Sequence, residues 1–322
     1  MSPSPPPVFP DGGDARAHAG TVAAFAVRAA LHEAAATRKP GLVCADARGA
    51  HRDMDIATMV ASAVSLGPYF HAAALLGWET RDEEPDAVFP RLRSLGIRAE
   101  KRMFAATGGV NTHKGLIFSL GLFCAAAGKA GGLGLPLRAE ALSRLASGYA
   151  RGIVAADFAV LRESPPECSS ECPAEEREAA VAARLGRKLT AGEILYLRHG
   201  ASGIRGEAEA GFPHVVRALE VFRRHHARET FNDALVATLL FLVAEVEDTN
   251  LLWRGGTEGA AFARSAAAGA LALGGTATPE GLKAVAAMGE AFVKRRLSPG
   301  GCADLTALVL FLRFAETPPP SG

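Results

Sequence analysis

Apolar residues recur at intervals of three and four along almost the whole chain, and hardly anywhere at intervals of two. The first spacing lays a stripe along one face of a helix, whereas a half-buried strand needs the second. Ala, Leu, Arg and Glu fill the periodic stretches, and these residues lose little side-chain freedom in a helix. The pattern predicts an all-α protein. Helices are expected over roughly 16–37, 55–66, 68–77, 86–106, 112–127, 138–157, 174–184, 190–197, 213–226, 229–246, 257–273, 279–294 and 303–315. Between them stand KPGLVCADARGAH, GKAGGLGLP, ESPPECSSECPAEE, HGASGIRGEAEAGFP and RLSPGGC, rich in the residues that break helices. The expected architecture is a single multi-helix globular domain over residues 16–316, its helices joined by Gly-rich polar turns. Disordered tails are expected at 1–15, where proline is dense, and at 317–322.

A chain of 322 residues, 49% hydrophobic, is long enough to bury one large core. Its 35 basic residues nearly balance 34 acidic ones. No overall field holds such a protein on nucleic acid or on an anionic membrane, so any basic site must be local. MSPSPPPVFPDGGD has no basic residue ahead of an apolar run and reads as a tail, not a signal peptide. Residues 56 to 78 carry no Asp, Glu, Lys or Arg and are about long enough to span a bilayer. Gly67-Pro68 divides that stretch, so two buried core helices are expected instead of a membrane span. The five cysteines are odd in number and scattered, which suits reduced thiols in the cytoplasm. Cys168 and Cys172 have no second Cys/His pair nearby and read as a plain loop before a zinc site.

Chemistry-bearing residues gather in four short turns, where sites on rigid scaffolds usually lie. In GAHRDMD, His51, Asp53 and Asp55 alternate ahead of a helix. The two carboxylates suit Mg²⁺, which takes one or two carboxylates plus substrate phosphates, or one of them caps the helix. In TGGVNTHKG, Asn111, His113 and Lys114 head an apolar helix whose free N–H groups and dipole favour an anion. A capped helix start with an exposed lysine is the plain alternative, and no GxxxxGK[ST] loop is present. In GIRGEAEAGFP, glycines flank Arg205, whose guanidinium can grip phosphate in a bidentate fork, and Glu207 follows. In VEDTNLLWRGG, Glu247, Asp248 and Asn250 close one helix and Arg254 follows. That acidic cluster calls for a cation or hydrogen-bond partners, and either a metal or Arg254 would serve.

The order and wording of these turns resemble one family, the triphosphoribosyl-dephospho-CoA synthases of citrate lyase and malonate decarboxylase maturation. The matching text is KPGLV and GAHRDMD (39–55), AEKRMFAATGGVNTHKGLIFSLGL (99–122), LTAGEILYLRHGASGIRGEAEAGFP (189–213), DALVATLLFLVAEVEDTN (233–250) and SPGGCADL (298–305). The resemblance implies a helical enzyme that transfers the triphosphoribosyl group of ATP to 3′-dephospho-CoA and releases adenine. It also implies that a second transferase passes the product to an acyl-carrier-protein subunit. Two places depart from the family's usual wording. After PGLV the family usually has a polar residue and another two or three places on, whereas Cys44, Ala45, Asp46 and Ala47 stand here, and Cys302 stands for the Ser that usually follows SPGG.

Replacing adenine at an anomeric carbon passes through an oxocarbenium-like state, which calls for carboxylates near the sugar, a base for the hydroxyl and cations on the triphosphate. On this basis Glu207 is the expected base, with Asp53 as a second catalytic carboxylate. Asp53, Asp55 and Asp248 are expected on Mg²⁺, Lys114, His113 and Arg205 on phosphates, and His51, Asn111, Asn250 and Arg254 as further substrate contacts. Two rival readings are a helical metal-dependent phosphohydrolase and a non-catalytic nucleotide- or CoA-binding scaffold.

Overall fold

A computed structural model describes residues 14–162 and 173–317. Cys168, Cys172 and nearly all of both expected tails lie outside the described residues. Asp14 and Ala15, which open the first helix, and Thr317, which follows the last, are the exceptions.

Among the described residues there are fifteen helices and no strand. In chain order they are α1 (Ala15–Ala35), α2 (Ile56–Ser65), α3 (Gly67–Glu79), α4 (Pro85–Ala106), α5 (Lys114–Gly132), α6 (Ala139–Tyr149), α7 (Ile153–Arg162), α8 (Ala174–Leu185), α9 (Ala191–His199), α10 (Ile204–Glu209), α11 (Pro213–His226), α12 (Phe231–Glu245), α13 (Thr249–Ala272), α14 (Pro279–Arg295) and α15 (Gly300–Glu316). The all-α expectation holds, with three local differences. The single helix expected over 138–157 is two, divided near Gly152, whose φ of +72° is left-handed. A short extra helix, α10, sits inside the turn read as irregular. α13 begins at Thr249, well before the Gly255-Gly256 pair, which kinks it instead of starting it: Gly256 has φ 62° and ψ −165°.

Three apolar helices, α5, α12 and α15, form the centre, with Leu, Phe and Ala buried on nearly every side. Phe123 of α5 meets Phe212 at 4.8 Å and Phe311 of α15 at 6.2 Å between ring centroids, which ties three distant stretches of chain together. α5 lies against α3 with their backbones almost touching. A Cβ on Gly128 would fall 1.8 Å from the carbonyl oxygen of Ala74, so only glycine permits this approach. GKAGG therefore continues α5 to Gly132 and does not break it.

Two stretches, Ile56–Glu79 and Lys114–Gly132, are apolar and long enough to cross a membrane by composition. The second is a core helix. In the first, α3 buries Tyr69, Phe70, Ala73, Ala74 and Gly77, as expected. The expectation of a second buried helix needs correction, since α2 buries only Met59, Ser62 and Ala63 and leaves Val64 57% exposed.

Candidate active site

Three long helices start at one place. α5 begins after His113 with no side-chain cap, α13 begins at Asp248, and α15 begins after Pro299. Their N-terminal ends, each with N–H groups that no carbonyl of the helix takes and the positive pole of the dipole, surround a cleft of about 450 Å³. The turn at 39–54 and the short α10 complete its walls.

Asp248 joins two of these helices. Its Oδ1 accepts from the N–H groups of Asn250 (2.7 Å) and Leu251 (3.2 Å), and its Oδ2 accepts from the N–H of Cys302 in α15 (2.8 Å). Burial holds its carboxyl above the usual range, and these N–H groups pull it only part of the way back. Gly203, with φ +54°, brings α10 against the same corner. A Cβ there would stand 2.8 Å from the Thr249 methyl group. α10 presents Glu207, whose side chain is fixed from behind by His214. Oε1 accepts from the His214 N–H at 2.9 Å, and Oε2 lies 2.7 Å from its Nδ1.

The floor holds groups in a dry setting. Lys39 and Glu33 form a buried ion pair, 2.6 Å from Nζ to Oε1, and Nζ also donates to the Glu33 carbonyl. Asp304, on the first turn of α15, is pushed well above the ordinary carboxyl range by burial first, then by the negative charges of Glu33 and Asp248. The shift favours the protonated form, which can donate a proton. His113 is driven down to about 4 by burial first and by Lys39 second, so its imidazole is neutral. Thr112 donates to the Ser62 hydroxyl at 2.6 Å, and Ser62 lies 2.7 Å from His113 Nδ1. With the Ser62 proton directed to Nδ1, the imidazole proton sits on Nε2, a buried atom with no hydrogen-bond partner among the described residues. His51 is neutral for similar reasons, burial and then Arg254. Arg254 donates to its Nδ1 at 3.3 Å, so its Nε2–H faces Ser298 Oγ at 2.8 Å.

Nine of the residues expected from sequence line this cleft: His51, Asp53, Asn111, His113, Lys114, Glu207, Asp248, Asn250 and Arg254. Two do not, and others line it in altered roles. Asp55 caps α2 in a capping box with Thr58 and pairs with Arg48 at 2.8 Å, so its carboxylate is spent outside the cleft. Arg205 points to a neighbouring chamber, where its Nε donates to Asp157 at 2.8 Å. Asp248 is consumed by backbone N–H groups rather than left open for a metal, and His113 is a neutral donor rather than a cation for phosphate. Arg254 pairs with neither Glu247 nor Asp248; it turns to His51 and the Arg296 carbonyl. Lys114 is half exposed and pairs with Glu100 at 3.1 Å.

Glu33, Lys39, Asp304 and Trp253 line the cleft without having been singled out from sequence. Lys39 and Asp304 stand inside the quoted KPGLV and SPGGCADL wordings, and that position was the only signal. Of the two departures, Cys302 gives Asp248 both its N–H and a thiol contact, as a serine hydroxyl would. Residues 45–48 face solvent away from the cleft, while Cys44 is buried with its thiol turned to the Lys39 and Leu42 carbonyls.

A carboxyl biased toward protonation, a fixed carboxylate, neutral imidazole donors and helix N-termini in one cleft describe a helical enzyme suited to acid–base chemistry on a phosphorylated substrate. The profile of the CitG family, ATP:dephospho-CoA triphosphoribosyl transferase, matches residues 19–320, and the chain belongs to this family. Over 288 residues it is 40% identical to the 2-(5''-triphosphoribosyl)-3'-dephosphocoenzyme-A synthase of Klebsiella pneumoniae, covering 88% of this chain and 87% of that one. A Vibrio cholerae protein named "Probable 2-(5''-triphosphoribosyl)-3'-dephosphocoenzyme-A synthase" is 36% identical over 285 residues, 88% of this chain and 84% of its own. One from Salmonella gallinarum with the same name is 37% identical over 296 residues, 91% and 90% of the two chains.

Proposed function

We propose that the cleft transfers the triphosphoribosyl group of ATP to the ribose 2′-hydroxyl of 3′-dephospho-CoA and releases adenine; the family's description names ATP, dephospho-CoA and the triphosphoribosyl group. The observation that carries this reading is the division of labour between two carboxyl groups in one cleft. Asp304 is biased toward its protonated form by burial and by the charges of Glu33 and Asp248, and Glu207 is fixed by His214 as an acceptor. Two carboxyl groups set in unlike surroundings can divide the roles of acid and base. In the transfer the bond from the ribose C1′ to adenine N9 breaks and a bond from C1′ to the acceptor's 2′-oxygen forms. Glu207 takes the hydroxyl proton, and Asp304 gives its proton to the departing adenine. Exchange with solvent then resets both groups. Each such proton transfer is worth about 10²–10⁴-fold in rate.

The cleft wall carries more carboxylates than cations: Lys39, Lys114 and Arg254 face Glu33, Asp53, Glu207, Glu247 and Asp248. A triphosphate therefore enters with its charge already offset, which supports Mg²⁺ arriving on ATP. Among the described residues no three His, Cys, Asp or Glu side chains are grouped to hold a metal. That fits a cation carried mainly by phosphate, since Mg²⁺ is commonly held by one or two carboxylates plus substrate. Asp53, at the rim and largely exposed, is the carboxylate open to it. The neutral Nε2–H of His113 and the N–H groups opening α5 suit phosphate or ribose oxygens, while Asn111, Asn250 and Arg254 frame the entrance. The product then passes through a second transferase to an acyl-carrier-protein subunit. The free, buried Cys44, Cys124 and Cys302 suit a cytoplasmic location, and residues 16–316 act as one catalytic domain.

The test is chromatography of ATP, dephospho-CoA and Mg²⁺ incubated with the protein. The reading requires free adenine and a heavier CoA derivative in equal amounts, with ordinary CoA a poor acceptor. Phosphate without adenine would make it a hydrolase, and binding without any product a scaffold.

A further inference from the structure

Beside the cleft lies a second chamber of about 360 Å³ that the transfer chemistry leaves unused. The two share a seam of three lining residues, Lys114, Gly115 and Ile204, and so lie side by side. Their walls differ. The chamber is lined mainly by apolar groups, among them Phe89, Leu92, Ile97, Ile117 and Phe118. Its charged residues are Arg93, Glu100, Lys114, Asp157 and Arg205: Asp157 takes Arg93 on one oxygen and Arg205 on the other, both at 2.8 Å, and Glu100 pairs with Lys114 at 3.1 Å. Arg205 spends only its Nε on Asp157, which leaves its Nη groups for a ligand, and Lys114 lines the same chamber at the seam.

We propose that this chamber holds the phosphopantetheine arm of the acceptor, with the diphosphate at the seam against Lys114 and Arg205 and the arm along the apolar wall. The inference rests on the function proposed above and specifies where its second substrate lies. Of the two substrates only dephospho-CoA has a long, partly apolar arm. A triphosphate placed against these walls would lose its water without gaining partners, which is costly. The cleft would then hold both riboses, and the seam would carry the acceptor's diphosphate out of it. This gives Arg205 a phosphate to grip, in a different place from the triphosphate.

Gly96 makes the room. It lies within α4 and lines the chamber, and a Cβ there would meet the Tyr69 hydroxyl at 3.6 Å and the Ile117 methyl at 3.7 Å, an ordinary contact. Gly96→Ala should fold and bind as wild type, whereas Gly96→Leu fills the chamber and has the better helix propensity. Ile97, 52% exposed on the chamber's rim, offers a second variant, Ile97→Asp, that cannot disturb the core. Calorimetric titration of each with dephospho-CoA and, separately, with ATP reads the result. Gly96→Leu and Ile97→Asp should weaken dephospho-CoA by about tenfold or more and leave ATP within about twofold, since only the arm's burial is lost. Unchanged dephospho-CoA binding in folded variants, or an equal or larger loss for ATP, overturns the proposal. If Gly96→Leu does not fold, Ile97→Asp alone decides. Adenine release by the wild type, run alongside, separates the two levels. If it is intact, only the placement of the arm falls; if wild type releases no adenine and binds no dephospho-CoA, the underlying function falls with it.

Discussion

The cleft and the chamber lie on either side of Lys114, Gly115 and Ile204, yet they are built on opposite principles. The cleft brings helix N-termini, paired carboxyls and neutral imidazoles to one point. The chamber is an apolar hollow beside a missing side chain in α4, with arginines fastened to one wall. A helix of six residues, α10, serves both, since Arg205 faces the chamber and Glu207, two positions on, faces the cleft. Two residues on a helix are about 200° apart, so neighbours in sequence are divided between sites. Adjacency within a motif does not make its members act together.

The largest expected effect breaks the pair on α10. Glu207→Gln should lower adenine formation by on the order of 100-fold or more, as loss of a general base does. Because Glu207 is mostly buried and doubly bonded to His214, it should also lose about 0.5–1.5 kcal/mol of stability, measured by denaturant titration. Arg205→Gln should instead leave the maximal rate within a few-fold and raise the KM for dephospho-CoA. Similar kinetic defects in the two would erase the distinction between the cavities.

Lys114 sharpens the comparison from the seam, because it lines both cavities. It is half exposed and already paired with Glu100, so Lys114→Ala should weaken each substrate by about tenfold or less in matched salt, read by calorimetry. A loss confined to one substrate would place the ammonium in a single site.

Sequence made the helices readable because burial imposes a period, and it located the four turns because glycine and polar residues interrupt that period. It could not show which way a turn faces. Asp53 and Asp55 look equivalent in GAHRDMD, but only Asp53 reaches the cleft, since the capping box with Thr58 draws Asp55 away. Asp304 was hidden for the opposite reason: it lies at the start of an apolar helix, and its importance comes from Glu33 and Asp248, hundreds and tens of residues away in the chain. The chamber had no sequence signal, because it arises from how α4, α5 and α7 pack.

A smaller effect follows for the two aspartates. Asp55→Ala should lower the melting temperature by roughly 2–4 °C through the lost cap and leave activity intact. Asp53→Ala should leave melting unchanged and raise the Mg²⁺ concentration needed for half-maximal rate. The reverse pattern would exchange their roles.

The central claim is that one cleft keeps Asp304 protonated to serve the departing adenine. A carboxyl whose folded pKa is raised favours folding most below its unfolded value, near 3.8, and that advantage is lost as pH rises through the folded value. At neutral pH Asp304 therefore burdens the fold, and Asp304→Asn should melt at a higher temperature than wild type there, with the gap closing toward pH 4. The most direct measurement is the pH profile of kcat/KM for adenine formation in wild type and Asp304→Asn. The account predicts a bell for wild type, and for the variant a rate lower by about 10²-fold or more with the alkaline fall removed. A variant that keeps the wild-type rate and the same alkaline fall would contradict it.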